Sequence, residues 1–116
     1  MFDYDVVVIG AGSGGCACAM RSADLGQKVA LVEYRDKGTG GTCVTRGCIP
    51  TKVLLKSAQV YEECKNAKLH GIVVEGVSLD MKAIHQKKTA AINNLKFGLD
   101  NMLLKPRGIP ITRPWG

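Results

Sequence analysis

DVVVIGAGSGG, from Asp5 to Gly15, is the stretch that decides the fold. Asp5-Val6-Val7-Val8-Ile9 is a short apolar, β-branched run, which predicts a strand buried on both faces, as in a parallel sheet. Gly10, Gly12 and Gly15 follow at the spacing G-x-G-x-x-G. Small residues continue through Cys16, Ala17, Cys18 and Ala19, and Met20 to Leu25 completes a helix. Gly26 is placed to end that helix in the left-handed conformation. Val29-Ala30-Leu31-Val32 then reads as a second buried strand, ending on Glu33. Strand, glycines, helix, strand and acid in that order predict an α/β fold: a βαβ unit with parallel strands, part of a Rossmann-like domain.

Each part of such a unit has a physical task. Gly10 permits a tight turn, Gly12 lets a pyrophosphate approach the backbone, and Gly15 lets helix and sheet pack closely. Ser13, Gly14 and Gly15 open the helix, where unpaired N–H groups and the helix dipole favour an anion. Glu33 is positioned to accept hydrogen bonds from an adenosine ribose, and its charge disfavours a 2′-phosphate and hence NADP. Cys16 and Cys18 read as small-residue packing positions on the helix.

GGTCVTRGCIPTK, from Gly40 to Lys52, follows a polar, glycine-rich loop and holds Cys43 and Cys48 with four residues between them. Zinc tolerates that spacing but needs a second ligand pair, and His70 and His85 have no Cys or His neighbour at metal spacing. A plant-type iron–sulfur cluster wants a further cysteine three positions after Cys48, where Thr51 stands. A structural staple is out of place in a reducing compartment. No metal site is expected. The pair therefore reads as a redox dithiol, which has a use only near an electron carrier.

Two cysteines five apart cannot form a disulfide across a regular helix, so the backbone between them is expected to be irregular, helped by Gly47 and Pro50. A thiolate near this helix start is expected to have a lowered pKa from the backbone dipoles. Lys52, one turn after Cys48, is placed to reach the carrier.

A chain of 116 residues fits one domain, and 46% hydrophobic with 22% charged residues excludes a disordered or fibrous class. The net charge of +6 raises nucleic-acid binding, but the basic residues are spread and only 5% of residues are aromatic. Solvated helix faces account for the charge, and no nucleic-acid partner is expected. No apolar run approaches the ~20 residues of a membrane span. A secretory signal is not apparent either, which predicts a cytoplasmic protein or a mature organellar one.

GAGSGG, the acid at Glu33 and GGTCVTRGCIPTK together resemble the N-terminal part of the flavoprotein disulfide reductases, the pyridine nucleotide-disulfide oxidoreductase family. Within it, GCIP followed by Thr51-Lys52 resembles the dihydrolipoamide dehydrogenases. Glutathione reductase and mercuric reductase types, and a non-catalytic truncated nucleotide-binding module, are the alternatives.

The resemblance implies an enzyme that binds FAD at the first fingerprint and uses NAD as co-substrate. It implies electrons passing from a dithiol such as a dihydrolipoyl group through a Cys43–Cys48 disulfide to the flavin. Cys43 would exchange with substrate and Cys48 would lie nearest the flavin. Lys52 would sit near the reactive flavin nitrogen, with Gly41-Thr42 beside the pyrophosphate or ribityl chain. Residues 1–116 would then be the first part of an FAD domain, with the rest of it, an NAD domain and an interface domain outside the chain. A homodimeric parent in the cytoplasm or mitochondrial matrix is implied, and a fragment inactive alone. Thr45, where the family commonly has Asn, departs from the pattern.

After the cysteines, Leu54, Ala58, Tyr61 and Cys64 recur at helical spacing, predicting a helix to about Leu69-His70 with Gly71 as its stop. Ile72-Val73-Val74 reads as a brief extended piece. Asp80 is an N-cap for a second long helix to about Leu104, with an apolar stripe of Met81, Ile84, Ala91, Leu95, Leu99 and Met102. Ile109-Pro110-Ile111-Thr112 starts another extended segment.

Overall fold

The protein is seen in a computed structural model that describes residues 2–34 and 38–113. The first strand, β1 (Val6–Ile9), leads through the glycines into helix α1 (Ser13–Asp24) and returns as β2 (Val29–Val32). The pairing is parallel, with Val6 opposite Val29 and Ile9 opposite Val32. Gly26 has φ +85° and its N–H donates to the Ala23 carbonyl, ending α1 as expected.

From β2 the chain makes a long excursion before it rejoins the sheet. It forms the short helix α2 (Gly41–Thr45), the long helix α3 (Cys48–Lys65) and a 3₁₀ turn (Ala67–His70). Helix α4 (Met81–Phe97) then runs into a π-helical segment (Gly98–Leu104) and a further 3₁₀ turn (Lys105–Arg107). The last strand, β3 (Ile111–Thr112), pairs parallel with β2, Leu31 opposite Ile111 and Val32 opposite Thr112. The sheet order β1-β2-β3 makes β2 the central strand.

The core lies between α1 and the sheet. Ala11, Cys16, Ala19, Val29, Leu31, Leu104 and Ile109 form it, with Val6, Val8, Met20, Ala23 and Ile111 packed around. Leu104 brings the π segment into this cluster, fully buried. Burying apolar area of this kind is the main favourable contribution to folding.

One expectation about β1 is corrected. Burial on both faces holds for the middle of β2 but not for β1, where Val7 is 56% and Ile9 87% exposed. Helix α1 packs on the Val6 and Val8 side, and β1 is an outer strand with one paired edge. An apolar run reports a strand, not how many of its faces are covered.

Helices α3 and α4 pack together as a hairpin that projects from the sheet. The radius of gyration is 19.8 Å, against about 13 Å for a compact chain of this length, and the longest extent is 71 Å. Asp80 caps α4 as expected, its carboxylate accepting from the Ala83 N–H at 2.9 Å. The stripe on α3 holds at Tyr61 and Cys64, while its first half lies one residue before its expected place. Val53, Ser57, Tyr61 and Cys64 are half-buried, whereas Leu54 and Ala58 are exposed. On α4, Ile84, Ala91 and Ile92 are half-buried while Met81 and Leu95 are exposed. The long helix α3 also stops early, at Lys65, because the Asn66 side chain donates to the Glu62 carbonyl at 3.0 Å. Gly71, at φ +73°, ends the 3₁₀ turn that follows. Ile72-Val73-Val74 joins no sheet.

Candidate functional site

The glycine turn sits at the C-terminal end of β1. Gly10 has φ +98° and its N–H donates to the Val32 carbonyl at 2.7 Å, tying the turn to the end of β2. Only a residue without Cβ is comfortable at that φ. Gly15 answers a different need: a Cβ there would lie 1.8 Å from the Gly10 carbonyl oxygen. Gly12 and Gly14 have open space where a Cβ would stand. No side chain caps α1, and its first turn carries no acid. Open backbone, uncapped N–H groups and the positive end of a helix dipole together fit a phosphate group.

Glu33 closes the turn from beneath. Its carboxylate is only 6% exposed and Oε2 accepts from the Ala11 N–H at 3.0 Å, while its own N–H donates to the Thr112 carbonyl at 3.0 Å. The acid predicted from its spacing therefore reaches the nucleotide turn and orders its backbone. Ser13 and Gly14 stand exposed at the start of α1.

The cysteine stretch docks on this same turn. The Gly40 N–H donates to the Ala11 carbonyl at 2.8 Å, and a Cβ on Gly41 would come 2.8 Å from the Gly12 Cα. Both glycines have positive φ, +97° and +59°, so the pair passes close over the turn in a conformation other residues resist. Helix α2 starts there and carries Thr42 and Cys43, and the Thr45 hydroxyl donates to the Gly41 carbonyl at 2.8 Å. The departure at Thr45 is thus absorbed within α2.

Between the cysteines the helix breaks at Arg46 and Gly47, as the spacing required. A Cβ on Gly47 would lie 3.1 Å from the Thr42 carbonyl oxygen and 3.3 Å from the Cys43 Cα, so glycine lets the chain fold back on itself here. That reversal brings the two thiols close enough to act on one another, both cysteines being free. Pro50 is buried at the third position of α3, where no intrahelical partner for an N–H exists. Lys52 stands exposed one turn beyond Cys48.

Cys43 holds its thiol proton more tightly than an ordinary cysteine. Its pKa is raised, chiefly by the hydrogen bond with the Cys48 thiol, then by burial and the charge of a Cys48 thiolate. The Cys48 backbone N–H and Lys52 pull the other way and do not prevail. Cys43 lies inside α2, and the helix start at which a lowered thiol pKa is expected belongs to Cys48.

A glycine turn between parallel strands with a cysteine pair seated on it is a distinctive combination. The profile of the pyridine nucleotide-disulphide oxidoreductases matches residues 4–108. The chain belongs to that family.

Its relatives in the pyridine nucleotide-disulphide oxidoreductase family include a dihydrolipoyl dehydrogenase of Bacillus subtilis, 44% identical over 103 residues, covering 89% of this chain and 21% of the relative. A dihydrolipoyl dehydrogenase of Chlamydia muridarum is 42% identical over 100 residues, 86% of this chain and 21% of the relative. Dihydrolipoyl dehydrogenase 2, mitochondrial, of Arabidopsis thaliana is 41% identical over 104 residues, 89% of this chain and 20% of the relative. The chain thus spans about a fifth of the length of these curated relatives.

Other parts of the chain hold relations that its motifs do not signal. Cys16 is buried as expected, its Sγ donating to the Ala11 carbonyl at 3.3 Å, and burial is the main cause that raises its pKa. Cys18 is exposed, contrary to the packing role expected for it, because it lies on the outer side of α1. Thr39 and Asp100 carry no motif. Yet Thr39 is fully buried and its hydroxyl donates to the Asp100 carboxylate, which arrives on the π segment. No local pattern signals a pair 61 residues apart.

Proposed function

We propose that this chain is the flavin-binding and dithiol-exchanging part of a dihydrolipoyl dehydrogenase-type enzyme. The observation that carries the reading is the seat of the cysteine pair: Gly40 and Gly41, separated from Cys43 only by Thr42, rest on Ala11 and Gly12 of the glycine turn.

The residues present fit FAD. Gly12, Ser13 and Gly14 offer open backbone at the start of α1 for the pyrophosphate, with Gly10 shaping the turn and Gly15 letting α1 pack closely against it. Glu33 would recognise the adenosine ribose, its placement at the turn being in hand. Gly41 and Thr42 would lie along the pyrophosphate or ribityl chain, and Lys52 and Cys48 on the side of the reactive ring. FAD, when bound, supplies two-electron chemistry that links the dithiol to NAD.

The protein's own steps are thiol–disulfide exchanges. Starting from a Cys43–Cys48 disulfide, a thiolate of the dihydrolipoyl group attacks Cys43 Sγ, forming a mixed disulfide and releasing Cys48 as thiolate. The second substrate thiolate then attacks its own sulfur in that mixed disulfide and releases Cys43. The substrate leaves as a cyclic disulfide, oxidised by two electrons, and the cysteines are left as the reduced pair. Hydrogen bonding between the two thiols keeps them in register for the reverse closure.

In this reading the parent protein acts as a homodimer in the cytoplasm or the mitochondrial matrix, and the 116 residues alone do not turn over. A dihydrolipoamide–NAD assay on the chain with stoichiometric FAD is expected to be silent. Equilibrium FAD titration with a thiol count before and after mild reduction tests the positive claim. Binding together with two thiols gained on reduction supports it, whereas binding with no reducible pair favours a non-catalytic nucleotide module.

A further inference from the structure

The α3–α4 hairpin returns to the sheet through a π-helical segment, and π geometry is uncommon and often placed where a side chain must be aimed. Here the side chain is Asp100. Its carboxylate accepts from the hydroxyl of Thr39, a residue with no exposed surface, just before the Gly40-Gly41 pair. The next residue's N–H donates to the Ala11 carbonyl, and the one after packs on Gly12. The loop carrying the glycine pair is therefore held from two sides, by the nucleotide turn and by Asp100. Without the Asp100 bond, a buried hydroxyl would lose its partner at the residue that sets the approach of Gly40 and Gly41 to the turn.

We infer that Asp100 is a positioning residue for the cofactor site, acting through Thr39 to seat Gly40-Gly41 on the glycine turn. This rests on the FAD reading above for its functional consequence, but not for its local geometry. The Asp100 charge also acts on Cys16 of α1, so the carboxylate belongs to the neighbourhood of the turn rather than to the hairpin alone.

The test uses Thr39→Val, which keeps the shape and removes the hydroxyl, and Thr39→Ser, which restores it. Two quantities are read on the full chain: hydrogen exchange of the Gly40 amide, with the Ala19 amide of α1 as the fold control, and FAD affinity by titration. A bond to a charged group predicts on the order of tenfold faster Gly40 exchange and a similar loss of FAD affinity in Thr39→Val, with Ala19 unchanged. Thr39→Ser is expected to stay within about threefold of the parent on both. Unchanged Gly40 exchange in a folded Thr39→Val overturns the inference. Faster exchange with unchanged FAD affinity overturns it too, since the bond would then serve the fold and not the site. A parent chain that binds no FAD refutes the cofactor reading, and Gly40 exchange alone then decides whether Asp100 seats the glycine pair. If Thr39→Val does not fold, Asp100→Asn, which weakens the acceptor, must accelerate Gly40 exchange or the inference falls.

Discussion

Gly15 stands so close to Gly10 that a methyl group on it would lie 1.8 Å from the Gly10 carbonyl oxygen, well inside any allowed contact. Two glycines away, Gly12 has φ −71° and nothing within 4 Å of the same imagined methyl. The fingerprint thus contains one glycine demanded by the fold and one whose smallness leaves outside space empty. Gly15→Ala is expected to cost about 3 kcal/mol of stability in urea unfolding, the upper end of overpacking. Gly12→Ala should change stability by less than about 0.5 kcal/mol yet weaken FAD binding on the order of tenfold or more, because the added methyl occupies the open approach. Equal losses in both assays for both variants would contradict this division.

The raised pKa of Cys43 predicts how it alkylates with pH. A raised value keeps the proton on, so at neutral pH Cys43 carries less thiolate than an ordinary cysteine and reacts more slowly. Its rate should keep rising at pH values where a free cysteine has levelled off. Cys48→Ala removes the first cause of the shift and should speed Cys43 alkylation at neutral pH, moving the profile to lower pH. Mass spectrometry of partially alkylated protein resolves the site.

Cys16 and Cys18 lie two residues apart and should behave as opposites. Cys18, exposed on α1, is expected to react with maleimide in the native protein within minutes. Cys16, 2% exposed and bonded to the Ala11 carbonyl, should react only on unfolding. Comparable native labelling of both would mean that α1 does not pack as described.

Asp80→Ala deletes the cap of α4 and should destabilise the chain by about 1 kcal/mol, with Asp80→Ser recovering most of it. Because Asp80 lies beside Tyr61 and Cys64 of α3, at the end of α4 remote from the glycine turn, FAD affinity should be unchanged. Chemical unfolding and titration on the same samples separate the two effects.

The unit from Val6 to Glu33 was legible because each of its signals is local: a β-branched run, glycines at turn positions and a left-handed stop at Gly26. The break between Cys43 and Cys48 was legible for the same reason, since the spacing forbids a regular helix. Relations between distant segments were not. Leu54 and Ala58 fit a helical stripe as well as Val53 and Ser57 do, and only the position of α4 decides between them. The open side of β1 depends on what packs against it, and the bond from Thr39 to Asp100 on a chain reversal completed far downstream. The Cys43 shift was not legible because its first cause is another thiol, brought there by the chain reversal at Gly47.

The projecting hairpin has a hydrodynamic consequence. A particle 71 Å long and 29 by 18 Å across experiences more friction than a sphere of the same mass. On a sizing column it will emerge ahead of globular standards of equal chain length, where a compact dimer would also run. Elution volume alone would therefore report self-association that need not exist, and light scattering, which reads mass without reference to shape, is the measurement that tells a rod-like monomer from a pair.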